Sequence, residues 1–157
     1  MIAAAIDPGR EGAVAFIDTA TGRGWGEGLD TTDAGALAEL LRTHAPRAVG
    51  VEVPVGRPPN TGGYAQISQQ WRAIGCAEGA VLAMGLPLLR VRPQQWQQVA
   101  FCARAKPSNY AERKRLSLRL ARERWPGAHL DRMKDSGVAD ALWIAYLVSR
   151  QQPGKET

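Results

Sequence analysis

Residues 2–18 read IAAAIDPGREGAVAFID, two short apolar runs separated by an acidic residue and a Pro-Gly turn. The first run, residues 2–6, is too short for an independent helix and is bounded by turn residues, so we expect a buried strand. Asp7 ends it, and after the turn residues 12–17 form a second strand that pairs with the first as a hairpin. A carboxylate at the tip of a buried strand is costly unless a partner compensates it. Asp7 is therefore either the cap of its own turn or the ligand of a cation.

The size and composition of the chain predict one domain. It has 157 residues, 45% of them hydrophobic, which suffices for a real core, and we expect residues 1–150 to form the domain and residues 151–157 a flexible tail. No apolar run approaches the ~20 residues of a membrane span, and no signal segment opens the chain. Cys76 and Cys102 stand alone, so neither a zinc site nor a disulfide framework is expected. These features predict a cytoplasmic protein without membrane contact.

The positive charge is concentrated in one segment. The formal net charge is +5; residues 1–89 hold six basic and nine acidic groups, whereas residues 90–134 hold twelve basic groups and three acidic ones. A basic segment on an otherwise acidic chain is typical of nucleic-acid binding, because phosphates supply most of the affinity. The alternative is a basic helix face that is merely solvated. In the helix expected at 110–124, the basic residues expected to face solvent are Arg113, Lys114, Arg119 and Arg122.

The remaining pattern alternates strands and helices. The third strand is expected at 23–29, a helix at 34–44, a fourth strand at 48–53, a long helix at 64–84, a fifth strand at 88–91, and helices at 94–101, 110–124 and 137–149. Residues 54–63 form a loop rich in Gly and Pro that could border a site. Gly75 and Gly79 lie on one face of the long helix, where glycine is costly. They suggest close approach to the sheet or to a second subunit, or else a tolerated irregularity.

Three acidic residues come from separate predicted elements. Asp7 and Glu52 end buried strands, and Asp140 points along the core-facing stripe of the apolar last helix. Asp135 precedes that helix and either caps it or joins the other acids. Carboxylates brought together suit Mg²⁺ or Mn²⁺ better than zinc, and two such ions are the usual apparatus of phosphodiester cleavage. With the basic segment, the acids predict a metal-dependent nuclease.

The order of elements and four motifs resemble a known family. The motifs are IDPGREGAVAFID at 6–18, VEVP at 51–54, GLPLLRVRPQQW at 85–96 and KDSGVADALWIAYL at 134–147. Together they resemble the RNase H-like (retroviral integrase) superfamily and, more narrowly, phage-type RuvC-like Holliday junction resolvases. The resemblance spans nearly the whole chain. It implies an α/β fold with a central mixed five-stranded sheet and helices on both faces.

The resemblance also implies roles for the acids. Asp7 matches the first-strand acid that touches both metals, Glu52 the fourth-strand acid, Asp140 the final-helix acid, and Asp135 the acid of the phage K-D-x-G pattern. Bacterial RuvC carries two final-helix acids three residues apart, but the first of those positions is Gly137 here. Asp135 is thus the least secure of the four ligands.

The implied activity is that of a homodimer that nicks two opposed strands of a four-way DNA junction. Two Mg²⁺ ions per site, with Mn²⁺ as an alternative, would activate water and stabilise the leaving 3′-oxygen, which leaves 5′-phosphates. The helix of Gly75 and Gly79 resembles the family's dimer helix. If the chain is phage-encoded, it works in the host-cell cytoplasm. The expected DNA-binding residues are Arg57, Arg104, Lys106, Arg113, Lys114, Arg119 and Lys134.

Two alternatives remain open at this point. One is another RNase H-like nuclease that acts on RNA or on an RNA–DNA hybrid. The other is a catalytically silent junction-binding protein, although such a protein has no need of costly carboxylates on buried elements.

Overall fold

The computed structural model describes residues 1–54, 64–102, 107 and 109–151. Within these residues the chain forms five strands and five α-helices, each within one residue of the expected bounds. The strands are β1 Ile2–Asp7, β2 Gly12–Asp18, β3 Gly24–Leu29, β4 Ala48–Glu52 and β5 Leu88–Val91. The helices are α1 Ala34–His44, α2 Tyr64–Ala83, α3 Pro93–Phe101, α4 Tyr110–Arg124 and α5 Ser136–Arg150. Two 3-10 turns, Pro126–Ala128 and Met133–Asp135, lie between α4 and α5.

The strands form one mixed sheet in the order β3-β2-β1-β4-β5. The hairpin pairs β1 with β2 in antiparallel fashion, and β3 extends it in the same way. β4 runs parallel to β1, with Ile6 opposite Val51, and β5 runs parallel to β4. Because parallel strands end at the same edge of a sheet, Asp7 and Glu52 emerge beside each other.

Helices cover both faces of the sheet, as expected. α1 and α2 pack on one face, where Ile6 and Phe16 join the core. α3, α4 and α5 cover the other face. There α5 lies very close to β4: a Cβ added to Gly50 would come within 2.6 Å of the Val148 side chain, a distance that only glycine permits. This close packing brings the residues of α5 directly over the sheet.

One of the alternatives given for the glycines of α2, a close approach to the sheet, is excluded. A Cβ at Gly75 or Gly79 would have nothing within 4 Å among the described residues, and both glycines are exposed, so neither permits a close approach to the sheet. Trp71 and Leu82, also on α2, are 47% and 58% exposed. In the described part of the chain, no helix has the length and hydropathy to cross a membrane. The predicted tail lies outside the described residues except for Gln151.

Candidate active site

Three carboxylates come together where β1 and β4 end. Asp7 is the last residue of β1, Glu52 the last of β4, and Asp140, which is 3% exposed, lies on α5. The first turn of α5 passes over Asp7, since a Cβ on Gly137 would lie 3.6 Å from Asp7 Oδ2. Two parallel strand ends and one helix thus hold three acids at one edge of the sheet.

The carboxylates influence one another electrostatically. The pKa of Asp7 is raised to about 8, mainly by burial and also by the nearby carboxylates of Glu52 and Asp140, against the lowering effect of Lys114 and Arg113. Burial also raises the pKa of Glu52, and Asp140 adds to that rise. Negative charge is therefore costly at this edge of the sheet unless a cation lies close by.

Two of the acids are oriented by buried donors. The indole Nε1 of Trp96 donates to Glu52 Oε2 at 2.6 Å, and Trp96 is 1% exposed. The Ser117 hydroxyl donates to Asp140 Oδ1 at 2.5 Å. By contrast, no hydrogen bond from a described residue reaches the Asp7 carboxylate. Glu52 and Asp140 are thus fixed by the protein, whereas Asp7 is left with unmet acceptor capacity.

Lys114 belongs to this site, which corrects the expectation that it faces solvent. Its Nζ donates to Asp140 Oδ2 at 2.6 Å, and its side chain is 16% exposed. Burial alone would lower the pKa of Lys114, but the carboxylates of Asp140 and Asp7 outweigh that effect and raise it. Arg113, also expected in solvent, is half-buried, and its Nε is the one buried side-chain polar atom without a partner in the described residues.

The turn after Asp7 is held by a residue that the sequence did not single out. Thr31 is fully buried, and its Oγ1 accepts from Gly9 N at 2.8 Å and donates to Gly9 O at 3.1 Å. The backbone N of Thr31 also donates to Gly9 O. Thr31 therefore fixes the position of the turn, and with it the exit of Asp7 from β1.

Asp135 accepts hydrogen bonds from Arg132. Its Oδ2 accepts from the backbone N of Arg132 at 2.7 Å, and its Oδ1 lies 3.0 Å from the Arg132 guanidinium. Burial would raise the pKa of Asp135, but these hydrogen bonds lower it. Asp135 is the first residue before α5 but does not bond the helix N-terminus. It closes the 3-10 turn before the helix, a variant of the capping role.

A groove of about 580 Å³ runs beside the acids. Four basic residues line it (Arg10, Lys114, Arg132 and Lys134), together with three acidic ones (Glu11, Asp30 and Asp135). Of the other residues expected to bind DNA, Arg119 is exposed on α4. Arg57, Arg104 and Lys106 lie outside the described residues.

The carboxylate oxygens of Asp7, Glu52 and Asp140 are suitable ligands for a hard divalent cation, but they do not form a complete coordination site. Among the described residues, no group of three or more His, Cys, Asp and Glu is arranged to hold a metal ion as the side chains stand. Lys114 instead covers Asp140. Oxygen ligands of this kind suit Mg²⁺ or Mn²⁺, and a cation would relieve the repulsion that raises the pKa of Asp7.

Sequence reasoning missed the roles of three side chains. No partner was predicted for Trp96, yet a buried indole N–H needs an acceptor and a strand-end acid was available. Ser117 lies three residues after Lys114, so the helical period places both on one face. Thr31 carried no signal, because its hydrogen bonds reach 22 residues back along the chain.

Comparison with known proteins identifies the fold. No family model matches the sequence, and no curated protein matches it. Among solved structures, Thermus thermophilus RuvC in complex with a Holliday junction substrate is 22% identical with a TM-score of 0.68, over 94% of this chain and 92% of that chain. A second structure of T. thermophilus RuvC is also 22% identical, with a TM-score of 0.66 over the same shares. The predicted α/β fold, a central mixed five-stranded sheet with helices on both faces, is thereby confirmed.

Proposed function

We propose that this chain is a structure-selective endonuclease that resolves four-way DNA junctions by symmetric, metal-dependent hydrolysis and leaves 5′-phosphates. The observation that carries the proposal is the meeting of Asp7, Glu52 and Asp140, from three elements, beside the cations that helix α4 contributes. A pKa of about 8 for Asp7 is a liability for a structural residue but is typical of a functional one. The fold shared with a RuvC solved on a Holliday junction supports a branched DNA substrate.

Asp7, Glu52 and Asp140 are the residues that would hold the metal ions. Two Mg²⁺ ions, or Mn²⁺ in their place, would supply the Lewis acidity for in-line attack on a phosphodiester. Trp96 and Ser117 orient the carboxylates that they bond, and Lys114 balances their charge when no metal is present. Asp135 is proposed as a fourth ligand only if its pairing with Arg132 opens.

Basic residues near the acids would hold the DNA backbone. Lys134 lines the groove, Arg119 is exposed on α4, and Arg113 and Lys114 flank the acids. Phosphate contacts position a substrate without reading its bases, so selectivity would come from the shape of the junction. The same role is proposed for Arg57, Arg104 and Lys106.

A homodimer would explain the exposed face of α2. Trp71 and Leu82 are large apolar residues at its surface, and Gly75 and Gly79 between them would let a second helix approach closely. Two cuts on a two-fold symmetric junction call for two sites related by the same symmetry. Among RuvC-like resolvases we place the chain with the phage type, on the K-D-x-G pattern at 134–137. It would work in the cytoplasm, which is that of the host cell if the chain is phage-encoded.

One assay tests the proposal directly. End-labelled four-way junction, linear duplex of the same sequence and RNA–DNA hybrid are each incubated with protein in Mg²⁺ and in excess chelator. We expect paired, symmetric nicks in the junction only, and only with Mg²⁺, and the nicks should be closed by DNA ligase. Cleavage of the hybrid instead would assign another RNase H-like activity. Metal-independent cleavage, or junction binding without cleavage, would overturn the proposal.

A further inference from the structure

The groove beside the acids contains apolar side chains that its basic residues do not explain. Tyr110 and Met133 both line it and are 67% and 54% exposed. Single exposed hydrophobic residues are ordinary on a protein surface. The aromatic ring and the thioether share the groove lining with basic residues such as Arg10 and Lys134 and with the acidic Glu11, Asp30 and Asp135, so the surface is mixed apolar and charged. Nucleic acid presents the matching chemistry, with π-faces and phosphates on one strand.

The ring of Tyr110 is anchored by cations. The guanidinium carbon of Arg113 lies 4.8 Å from the ring centroid, and Lys114 Nζ lies 5.7 Å from it. Tyr110 is also the first residue of α4, whose N-cap Asn109 accepts from Glu112 N. Cation–π contacts of this kind restrict a ring without covering it. Tyr110 is therefore an exposed yet fixed aromatic surface.

The ring also lies close to the acids. Lys114 Nζ is 2.6 Å from Asp140 Oδ2, so the ring centroid is within about 8.3 Å of that oxygen. A nucleotide separates its base from its phosphate by a distance of the same order. A base stacked on Tyr110 would therefore place a neighbouring phosphate at the carboxylates.

We propose that Tyr110, together with Met133, is a stacking platform for one branch-point nucleobase of the DNA strand that is cut. The inference rests on the proposed function and adds to it the feature of the substrate that the groove recognises. Where strands exchange at a four-way junction, a base at the branch point loses a stacking neighbour, whereas every base inside a linear duplex keeps both. The platform would thus favour the branch point over duplex, without reading sequence, since every base has a π-face.

The test compares three proteins on junctions that carry 2-aminopurine at the branch point, in chelator so that no cutting occurs. Wild type and Tyr110→Phe should alter the 2-aminopurine emission on binding, because both rings stack. Tyr110→Leu should lose that change and bind the junction at least about five-fold more weakly. Its affinity for linear duplex should change less than about two-fold, and its melting temperature should match that of wild type.

Two results separate this inference from the proposed function. If wild type cuts the junction and Tyr110→Leu binds it with wild-type affinity and emission, the platform is wrong while the resolvase assignment stands. If wild type does not recognise the junction, the same variants are titrated with a single-stranded oligonucleotide that carries 2-aminopurine. A Tyr110-dependent emission change there would support the platform alone, and its absence would reject both.

Discussion

The two strand-end aspartates of the first hairpin have opposite environments. Asp18 ends β2 and accepts from the backbone N of Ala20 at 3.0 Å and from the Thr21 hydroxyl at 2.9 Å, contacts that lower its pKa. Asp7 ends β1, has no such donor among the described residues, and lies beside Glu52, and its pKa is raised to about 8. Both follow an apolar run and precede a turn. A carboxylate that caps a turn is matched by donors, whereas one that serves chemistry is left unmatched and costs stability.

The largest expected effect concerns cleavage by the two aspartate variants. Asp7→Asn should still bind a four-way junction. It should cut the junction at least roughly 10²–10³-fold more slowly in Mg²⁺, because the carboxylate expected to bind both metal ions is lost. Asp18→Asn makes the same chemical change at the other end of the hairpin and should cut at the wild-type rate. Single-turnover cleavage of labelled junction measures both. Equal rates for the two variants would remove Asp7 from the site.

The second prediction concerns the donors that orient the other acids. Trp96→Phe removes the indole N–H from Glu52, and Ser117→Ala removes the hydroxyl from Asp140. Partners that orient metal ligands typically contribute 10–100-fold to metal affinity or activity, so each variant should need more Mg²⁺ for half-maximal cleavage. Trp25→Phe, on the opposite face of the sheet, is the matched control. A control that shifts the Mg²⁺ requirement equally would mean that these changes act through stability.

The third prediction concerns stability and pH. The pKa of Asp7 is about 8 in the folded chain, whereas the ordinary pKa of an aspartate is 3.8. Between those pH values the unfolded chain has released a proton that the folded chain retains. Metal-free protein should therefore lose stability as the pH rises from about 4 to 8. Asp18, with a lowered pKa, contributes stability that is lost only as the pH falls through its folded-state pKa.

Thermal unfolding in chelator measures this dependence. Between pH 6 and pH 8 the wild-type melting temperature should fall by several degrees, and Asp7→Asn should reduce the slope, with Glu52 leaving a residual one. Mg²⁺ should restore the wild-type melting temperature at pH 8, because a ligand of the folded state stabilises it. A melting temperature that rises with pH in chelator would contradict the raised pKa.

The strands and α-helices of the described residues could be predicted from the sequence because they are locally encoded. Apolar runs, Pro-Gly breaks and the helical period mark them, and the mixed five-stranded sheet follows from the resemblance. The acids were found because each interrupts an apolar pattern. Partners of those acids were not found, because Trp96 lies 44 residues from Glu52 and Ser117 lies 23 from Asp140. Lys114 looked like part of a solvated basic face, since a sequence does not show which cation of a helix turns inward.

The smallest expected effect distinguishes Asp135 from Asp140, two acids five residues apart. Asp140 lies on the inner face of α5, bonded by Lys114 and Ser117, whereas Asp135 closes a turn with Arg132. Asp135→Asn retains one side-chain acceptor for the Arg132 backbone, so it should lower stability by less than about 1 kcal/mol and slow cleavage by less than about two-fold.

Asp140→Asn is the variant with which Asp135→Asn is compared. It removes a carboxylate that is both the partner of Lys114 and a proposed metal ligand. Its cleavage rate should fall nearly as far as that of Asp7→Asn in the same single-turnover assay. If Asp135→Asn falls equally far while its melting temperature is unchanged, the pairing with Arg132 must open on metal binding, and Asp135 would be a fourth ligand. Asp135, in the turn before α5, would then supply the carboxylate that is missing at Gly137. If Asp135→Asn has only a small effect on cleavage, the carboxylates of Asp7, Glu52 and Asp140 suffice for the reaction. Gly137 would then leave the space over Asp7 open.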